Sequence, residues 1–401
     1  MGRLVVGLGL GQIISWGVLI YAIAVLGDAM AADLGISRTL VFAAFSGSLV
    51  VSGLVGPRVG ALIDRRGGRW VLAWGAVGAT VSLGAVAIAP TPLAFVLAWG
   101  LVGVARAMTL YEAAFATLSQ HSGTSFRRVV TAVTLFGGFA GTFAFPLCLV
   151  GLETVGWRAT IAGFAAAELL ICLPLHLWCI PAGPGPGARD RAGHVAATPA
   201  PVRSASRAAP GLAALATSFA LAAFITSAIA VHIVNLLQAS GLALATAVAV
   251  ASLIGPMQVT GRLAELALGR RLSPVATGVL TLLLLALSLV TLWLSGSTLA
   301  LAVAFAAMYG CANGVQTIVR GTVPAELFGR DGYGVLTGRM SMSSFIARAI
   351  APLALPAIAS LGLAYDPSIP LLVAVALLAL VAYVIAIRRT GRWGGAGSAR
   401  Q

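Results

Sequence analysis

Stretches of about 20 apolar residues recur from one end of this chain to the other, and a helix needs roughly that many to cross a hydrocarbon core of about 30 Å. Of the 401 residues, 59% are hydrophobic and only 9% are charged, against roughly a quarter charged in an ordinary soluble domain. No water-soluble fold could hide that much apolar surface, so the bilayer is the solvent of this chain. Runs separated by Gly, Pro and Arg place six spans near residues 4–27, 39–57, 70–89, 92–118, 129–151 and 158–180. Six more fall near 211–237, 242–268, 274–294, 299–320, 335–361 and 369–387. The expected fold class is an all-α membrane protein of twelve transmembrane helices, with one six-helix bundle over residues 1–180 and another over 211–401 that ends in a short cytoplasmic tail. Residues 181–210, rich in Pro, Gly and Ala and without apolar periodicity, read as a cytoplasmic linker.

The net charge of +14 would ordinarily raise nucleic acid as a partner, but all 25 basic residues are Arg, and most lie in short clusters between apolar runs. That is how topology-setting charges are placed; they address lipid headgroups, and no nucleic-acid partner is expected. With the N-terminus in the cytoplasm, Arg58, Arg65, Arg66, Arg69, Arg127, Arg128, the linker, Arg270, Arg271, Arg330, Arg388 and Arg389 fall inside, and Arg38 and Arg158 fall outside. Both termini are therefore expected in the cytoplasm of a bacterial inner membrane. A single Arg3 precedes the first apolar run without a small-residue cleavage site, so the first helix is expected to be kept.

Cys148, Cys172, Cys179 and Cys311 lie inside apolar runs with neither disulfide nor zinc spacing. No phosphate loop, Ser-His-Asp set or metal cluster appears between the runs, so neither an enzyme nor a cofactor or metal is expected.

An internal repeat divides the chain. Gly56-Pro57 is followed by Gly60-Ala-Leu-Ile-Asp64, and Gly255-Pro256 by Gly261-Arg-Leu-Ala-Glu265. Both read G-P, then G-x-L-x-acid, at equivalent places in two six-span halves, as parallel duplication of a transporter fold produces. The first copy continues as Asp64-Arg65-Arg66-Gly67-Gly68-Arg69 and resembles the G-x-L-x-D-R-x-G-R signature of the major facilitator superfamily. Gly156-Trp157-Arg158 and the Gly-rich fifth span with Pro146 are similar to further features of that family. Tyr111-Glu-Ala-Ala-Phe-Ala116, Pro324-Ala-Glu-Leu-Phe-Gly329 and Gly332-Tyr-Gly334 resemble a bacterial branch near the monocarboxylate-transporter-like proteins, with arsenical exporters in related branches.

The resemblance implies a monomeric secondary active transporter in which two six-helix halves rock around a midplane site. It implies a gating role for Gly60, Asp64, Arg65, Gly67 and Arg69, and the repeat extends that role to Gly261 and Glu265. Asp64 can bridge to Arg and to the positive end of a neighbouring helix. On the fifth span, Thr134, Gly138, Thr142 and Pro146 recur every four residues and so share a stripe suited to close packing, or, as its partial resemblance to the fifth-helix antiporter signature implies, to a specific antiport role.

Polar groups inside a membrane must face a partner or a wet cavity. Arg106 and Arg348 lie near the middle of the fourth and eleventh spans. Asn313, Gln316, Thr317 and Arg320 stripe the tenth, Gln12, Ser15 and Trp16 the first, and His232 and Asn235 the seventh, while Gln258 lies on the eighth. Gln12, Trp16, Arg106, Asn235, Gln258, Asn313, Gln316 and Arg348 are the candidate substrate contacts. Glu112, a carboxylate in an apolar helix, and His232, a residue type that titrates near neutral pH, are the candidates for carrying protons. The arginines point to an anionic or polar neutral solute moved with protons. Drug or arsenical efflux is a second reading, and a non-transporting sensor on the same scaffold is a third.

Overall fold

The computed structural model describes residues 1–183, 210–269, 271–359 and 368–391. Most of the expected linker, Arg270 and the tail from residue 392 lie outside the described residues. Among the described residues the secondary structure is helical, with no strand.

Ten stretches are long and apolar enough to cross a membrane. One of them, Gly123–Cys179, is broken at Gly156, whose φ of 80° is open to a residue without a side chain. It supplies two spans, α5 (123–155) and α6 (157–179). The others are α1 (Gly2–Leu34), α2 (Arg38–Arg66), α3 (Gly68–Ile88), α4 (Pro92–His121), α7 (Leu212–Ala239), α8 (Leu244–Leu268), α9 (Pro274–Ser295), α10 (Leu299–Phe328) and α12 (Ser368–Thr390). With α11 (Tyr333–Ala359), which is not among those ten stretches but is long enough with its 27 residues, the described residues hold twelve helices of membrane-crossing length.

Several helices outrun their apolar cores. Pro57 and Pro324 lie inside α2 and α10 rather than ending them. Apolar composition marks where lipid stops, whereas helical hydrogen bonding continues into the interface, so Asp64 belongs to the last turns of α2.

The chain forms two compact units, Met1–Ala200 with Arg330–Met342, and Pro201–Gly329 with Ser343–Gln401. In the first, Leu19, Leu26, Met30, Leu83, Phe95, Trp99 and Val102 make a fully packed interior. Trp70, Trp74, Val81, Leu97 and Leu101 point outward on α3 and α4. Helices apolar on every side are what a lipid solvent requires. At one end of this unit Arg38 pairs with Asp28 and Arg158 with Asp33, each at 2.9 Å. Both arginines expected outside are thus neutralised by acids.

Candidate functional site

α4 is not one continuous helix. It consists of Pro92–Thr109 and Tyr111–His121, joined by an extended Leu110 (φ −78°, ψ −170°). At the joint Gln12 Nε2 donates to the Thr109 carbonyl at 2.7 Å, and Trp16 Nε1 donates to Gln12 Oε1 at 3.1 Å. The Trp16 ring lies 5.0 Å from that of Tyr111, which stacks on Phe115 at 5.2 Å. Interrupted helices build solute and ion sites in transporters, because the break frees backbone groups and leaves helix ends inside the membrane.

α1 carries a matching irregularity. Gly17–Tyr21 forms a π-turn, a feature that concentrates at functional sites. The carbonyl of Leu19, within that turn, accepts from Arg106 Nη2, while Arg106 Nη1 donates to Ser48 Oγ at 2.9 Å. The guanidinium lies 4.9 Å from the Phe45 ring centre. Arg106 is 1% exposed, its Nε has no acceptor, and no carboxylate among the described residues neutralises it.

Glu112, half-buried in the first turn of Tyr111–His121, does not pair with Arg106; Ser341 Oγ donates to its Oε1 at 3.4 Å. Gln12, Trp16, Arg106 and Glu112 thus come from two helices, α1 and α4, to the neighbourhood of one break.

The first repeat lies at a helix crossing. Gly60 and Gly56 of α2 meet Gly334 and Gly338 of α11 so closely that a Cβ at Gly60 would collide with the Gly334 carbonyl. One Asp64 oxygen accepts from the Gly334 N–H and the other from the Val335 N–H, both at 2.9 Å. These donors lie in the first turn of α11, which has no carbonyls of its own to offer them. The expected bridge from Asp64 to Arg65 or Arg69 is absent among the described residues: Arg65 is exposed, and Arg69 lies 5.9 Å over the Trp70 ring. A backbone pair already fills both carboxylate oxygens. Gly67 ends α2 with φ 82°.

In the second unit, α8 and α10 pack through Gly261, whose Cβ would lie 2.5 Å from the Cys311 carbonyl oxygen, and through Gly314, whose Cβ would collide with the Gln258 carbonyl. Arg262 Nε donates to the Gly314 carbonyl at 3.4 Å, and Glu265, three residues on, is buried. Gln316 is 5% exposed, and neither amide atom has a hydrogen-bonding partner among the described residues. Asn313, Gln258 and Arg348 are half-buried and Asn235 is exposed. His232 Nε2 donates to the Pro352 carbonyl at 3.0 Å.

The family model described as Major Facilitator Superfamily matches residues 8–352. The chain belongs to the Major Facilitator Superfamily. It is therefore a multi-pass membrane protein of a transporter family. Two solved superfamily folds resemble it. The human organic anion transporter MFSD10 (TETRAN) superposes with a TM-score of 0.68 at 19% identity, over 96% of this chain and 99% of its own. The proton:xylose symporter XylE bound to 6-bromo-6-deoxy-D-glucose superposes with a TM-score of 0.74 at 13% identity, over 97% and 95%. A search of curated proteins gave no match.

Within this superfamily member, the packed stripe of α5 differs from the expected one. Gly137, Ala140, Ala144 and Cys148 are buried, whereas Gly138 is half-buried and Thr142 and Pro146 are exposed. A strict every-four spacing drifts around a helix of 3.6 residues per turn, so the face that begins at buried Thr134 continues through Gly137, Ala140, Ala144 and Cys148 at steps of three and four. Gly137 makes room for Tyr111, whose hydroxyl donates to the Thr134 carbonyl at 3.4 Å. Ser48, Phe45, the Leu19 carbonyl and Tyr21, whose ring centre lies 6.2 Å from that of Trp16, join the site without any signal in the sequence. Tyr111 carries one, as an aromatic hydroxyl one residue from a membrane carboxylate.

Proposed function

We propose that this superfamily member is a secondary active transporter that carries a small organic anion across a bacterial cytoplasmic membrane by alternating access, coupled to protons, with both termini in the cytoplasm. The observation that carries the reading is Arg106, buried with hydroxyl, carbonyl and aromatic neighbours and no acid among the described residues. Burying an uncompensated guanidinium costs several kcal/mol. A carrier recovers that cost when the solute supplies the carboxylate, and the guanidinium fork matches a carboxylate in two parallel hydrogen bonds. The N-terminal end of Tyr111–His121, a partial positive charge beside the same break, adds to the preference for an anion.

Gln12 and Trp16 are the polar and aromatic contacts of this site in the first unit. Gln316, with an amide that nothing among the described residues satisfies, is the leading solute contact in the second, followed by Asn313, Gln258 and Arg348; Asn235 is the most peripheral. Fold alone does not choose the solute, since one structural neighbour is an organic anion transporter and the other a proton:xylose symporter. Asp64 on the first turn of α11 is the latch, made where α2 and α11 cross.

Proteoliposomes holding a pH dye test the reading, challenged with small organic anions, arsenite and cationic drugs. Proton flux driven by an anion, lost in Arg106→Ala and reduced in Glu112→Gln, is the expected result. Flux with drugs or arsenite alone would replace this reading by efflux, and solute binding without any flux would replace it by a sensor.

A further inference from the structure

α6 carries a carboxylate that the arrangement around Arg106 does not use. Glu168 is fully buried. The Ser15 hydroxyl and the Cys172 thiol border it, yet neither carboxylate oxygen makes a well-formed hydrogen bond. Among the described residues no cation faces it from any packed element. α1 brings Ser15, and its one basic side chain, Arg3, sits at the far end donating to the Trp178 carbonyl at 3.1 Å. α3 has no ionisable side chain beyond Arg69. The start of α6 holds Arg158, roughly 15 Å along the axis from Glu168 and already paired with Asp33. On its own helix Cys172 and His176 come next, at steps of four.

His176 is 1% exposed. Its Nδ1 bonds the Leu72 carbonyl at 3.1 Å, so Nδ1 carries the hydrogen and Nε2, which has no partner among the described residues, keeps a free lone pair. That lone pair faces α1 at Gly11, where a Cβ would lie 2.9 Å from it. Gly7, Gly11 and Ser15, four residues apart on α1, receive in turn Cys179, His176 and the Cys172–Glu168 pair. The result is a seam of ionisable groups running from the C-terminal end of α6 inward over about 12 Å. At its inner end α6 departs from α-geometry in a π-turn over Glu168–Cys172. Ser15 in turn sits just before the π-turn of α1, whose Leu19 carbonyl holds Arg106.

We infer that Glu168 is a proton-binding site of this carrier, loaded along the seam through His176, and that α1 links its occupancy to Arg106. Binding forms an O–H bond on one carboxylate oxygen and takes the side chain from −1 to neutral, the form that a buried site with no cation and no well-formed hydrogen bond among the described residues holds at least cost. Loss of the proton leaves a bare carboxylate beside Ser15, on the stretch of α1 that leads into the turn holding Arg106. The link to Arg106 rests on the proton-coupled reading above, whereas the proton site itself does not.

Infrared spectroscopy of the purified full chain in bilayers, titrated with pH and without solute, tests the site apart from transport. A protonated-carboxyl stretch that titrates, disappears in Glu168→Gln and persists in Glu112→Gln is expected. Ser15→Ala, which leaves the acid in place, is expected to keep the titrating band. A spectrum unchanged in Glu168→Gln, or a carboxyl band that never titrates, would overturn the assignment. If the band behaves as expected while no anion drives proton flux in the wild type, the transport reading fails and the proton site stands.

Discussion

The two copies of the G-x-L-x-acid signature have the same spacing and meet different surroundings. In the first, Gly60 lets α2 press against α11 where that helix begins, and Asp64 caps the two free N–H groups of its first turn. In the second, Gly261 presses α8 against the middle of α10, a helix of 30 residues. No helix start is on offer there: the neighbouring Arg262 reaches for the Gly314 carbonyl instead, and Glu265 is buried. The glycine does one job in both places, close backbone approach. The surroundings of the acid differ between the copies, a helix start for Asp64 and a buried place beside Arg262 for Glu265, so what the duplicated motif supports directly is duplicated packing.

Gly60→Val is expected to have the largest effect, since its side chain would enter the backbone of α11. A loss of about 3 kcal/mol, or failure to fold, is anticipated, read as melting temperature in detergent. Gly261→Val should do comparable damage; a tolerated Gly261→Val would break the claim that both glycines serve close approach.

Asp64→Ala comes next. Removing two bonds to first-turn N–H groups is expected to cost about 2 kcal/mol and to raise cysteine labelling at the α2–α11 crossing. Asp64→Asn, which keeps one acceptor oxygen, should recover part of the loss. Arg262→Ala, losing one long bond, should cost about 1 kcal/mol; if it matched Asp64→Ala, the two copies would have to be regarded as equivalent latches. The smallest effect checks whether surroundings rather than residue type decide. Gly137→Ala must displace Tyr111 and should lower solute affinity, whereas Gly138→Ala, at a half-buried position, should stay within about 0.5 kcal/mol of wild type.

The spans, the repeat and the candidate latch are legible in the residues alone because lipid imposes a simple rule on composition and because Gly and acid at fixed spacing are rare in apolar sequence. The local breaks are not. Thr109-Leu110-Tyr111 contains neither Gly nor Pro, and the interruption is held by Gln12 from a helix about a hundred residues away in sequence. The π-turn at Gly17–Tyr21 likewise depends on tertiary contacts, through the Arg106 bond to Leu19. On α5 a stripe drawn at steps of four drifts off the true face, since 3.6 residues per turn carry the buried side from Thr134 to Gly137 rather than Gly138. Glu168 is visible in the sequence as an acid within an apolar helix; that it faces no cation among the described residues depends on two neighbouring helices, α1 and α3, at once.

The central claim, that Arg106 holds an anionic solute, is tested most directly by thermal shift of the purified protein against a panel of organic anions, comparing wild type with Arg106→Gln. Stabilisation of the wild type by at least one anion, abolished in Arg106→Gln while that variant remains folded, is the predicted result. An anion that stabilises Arg106→Gln as strongly as the wild type would contradict it.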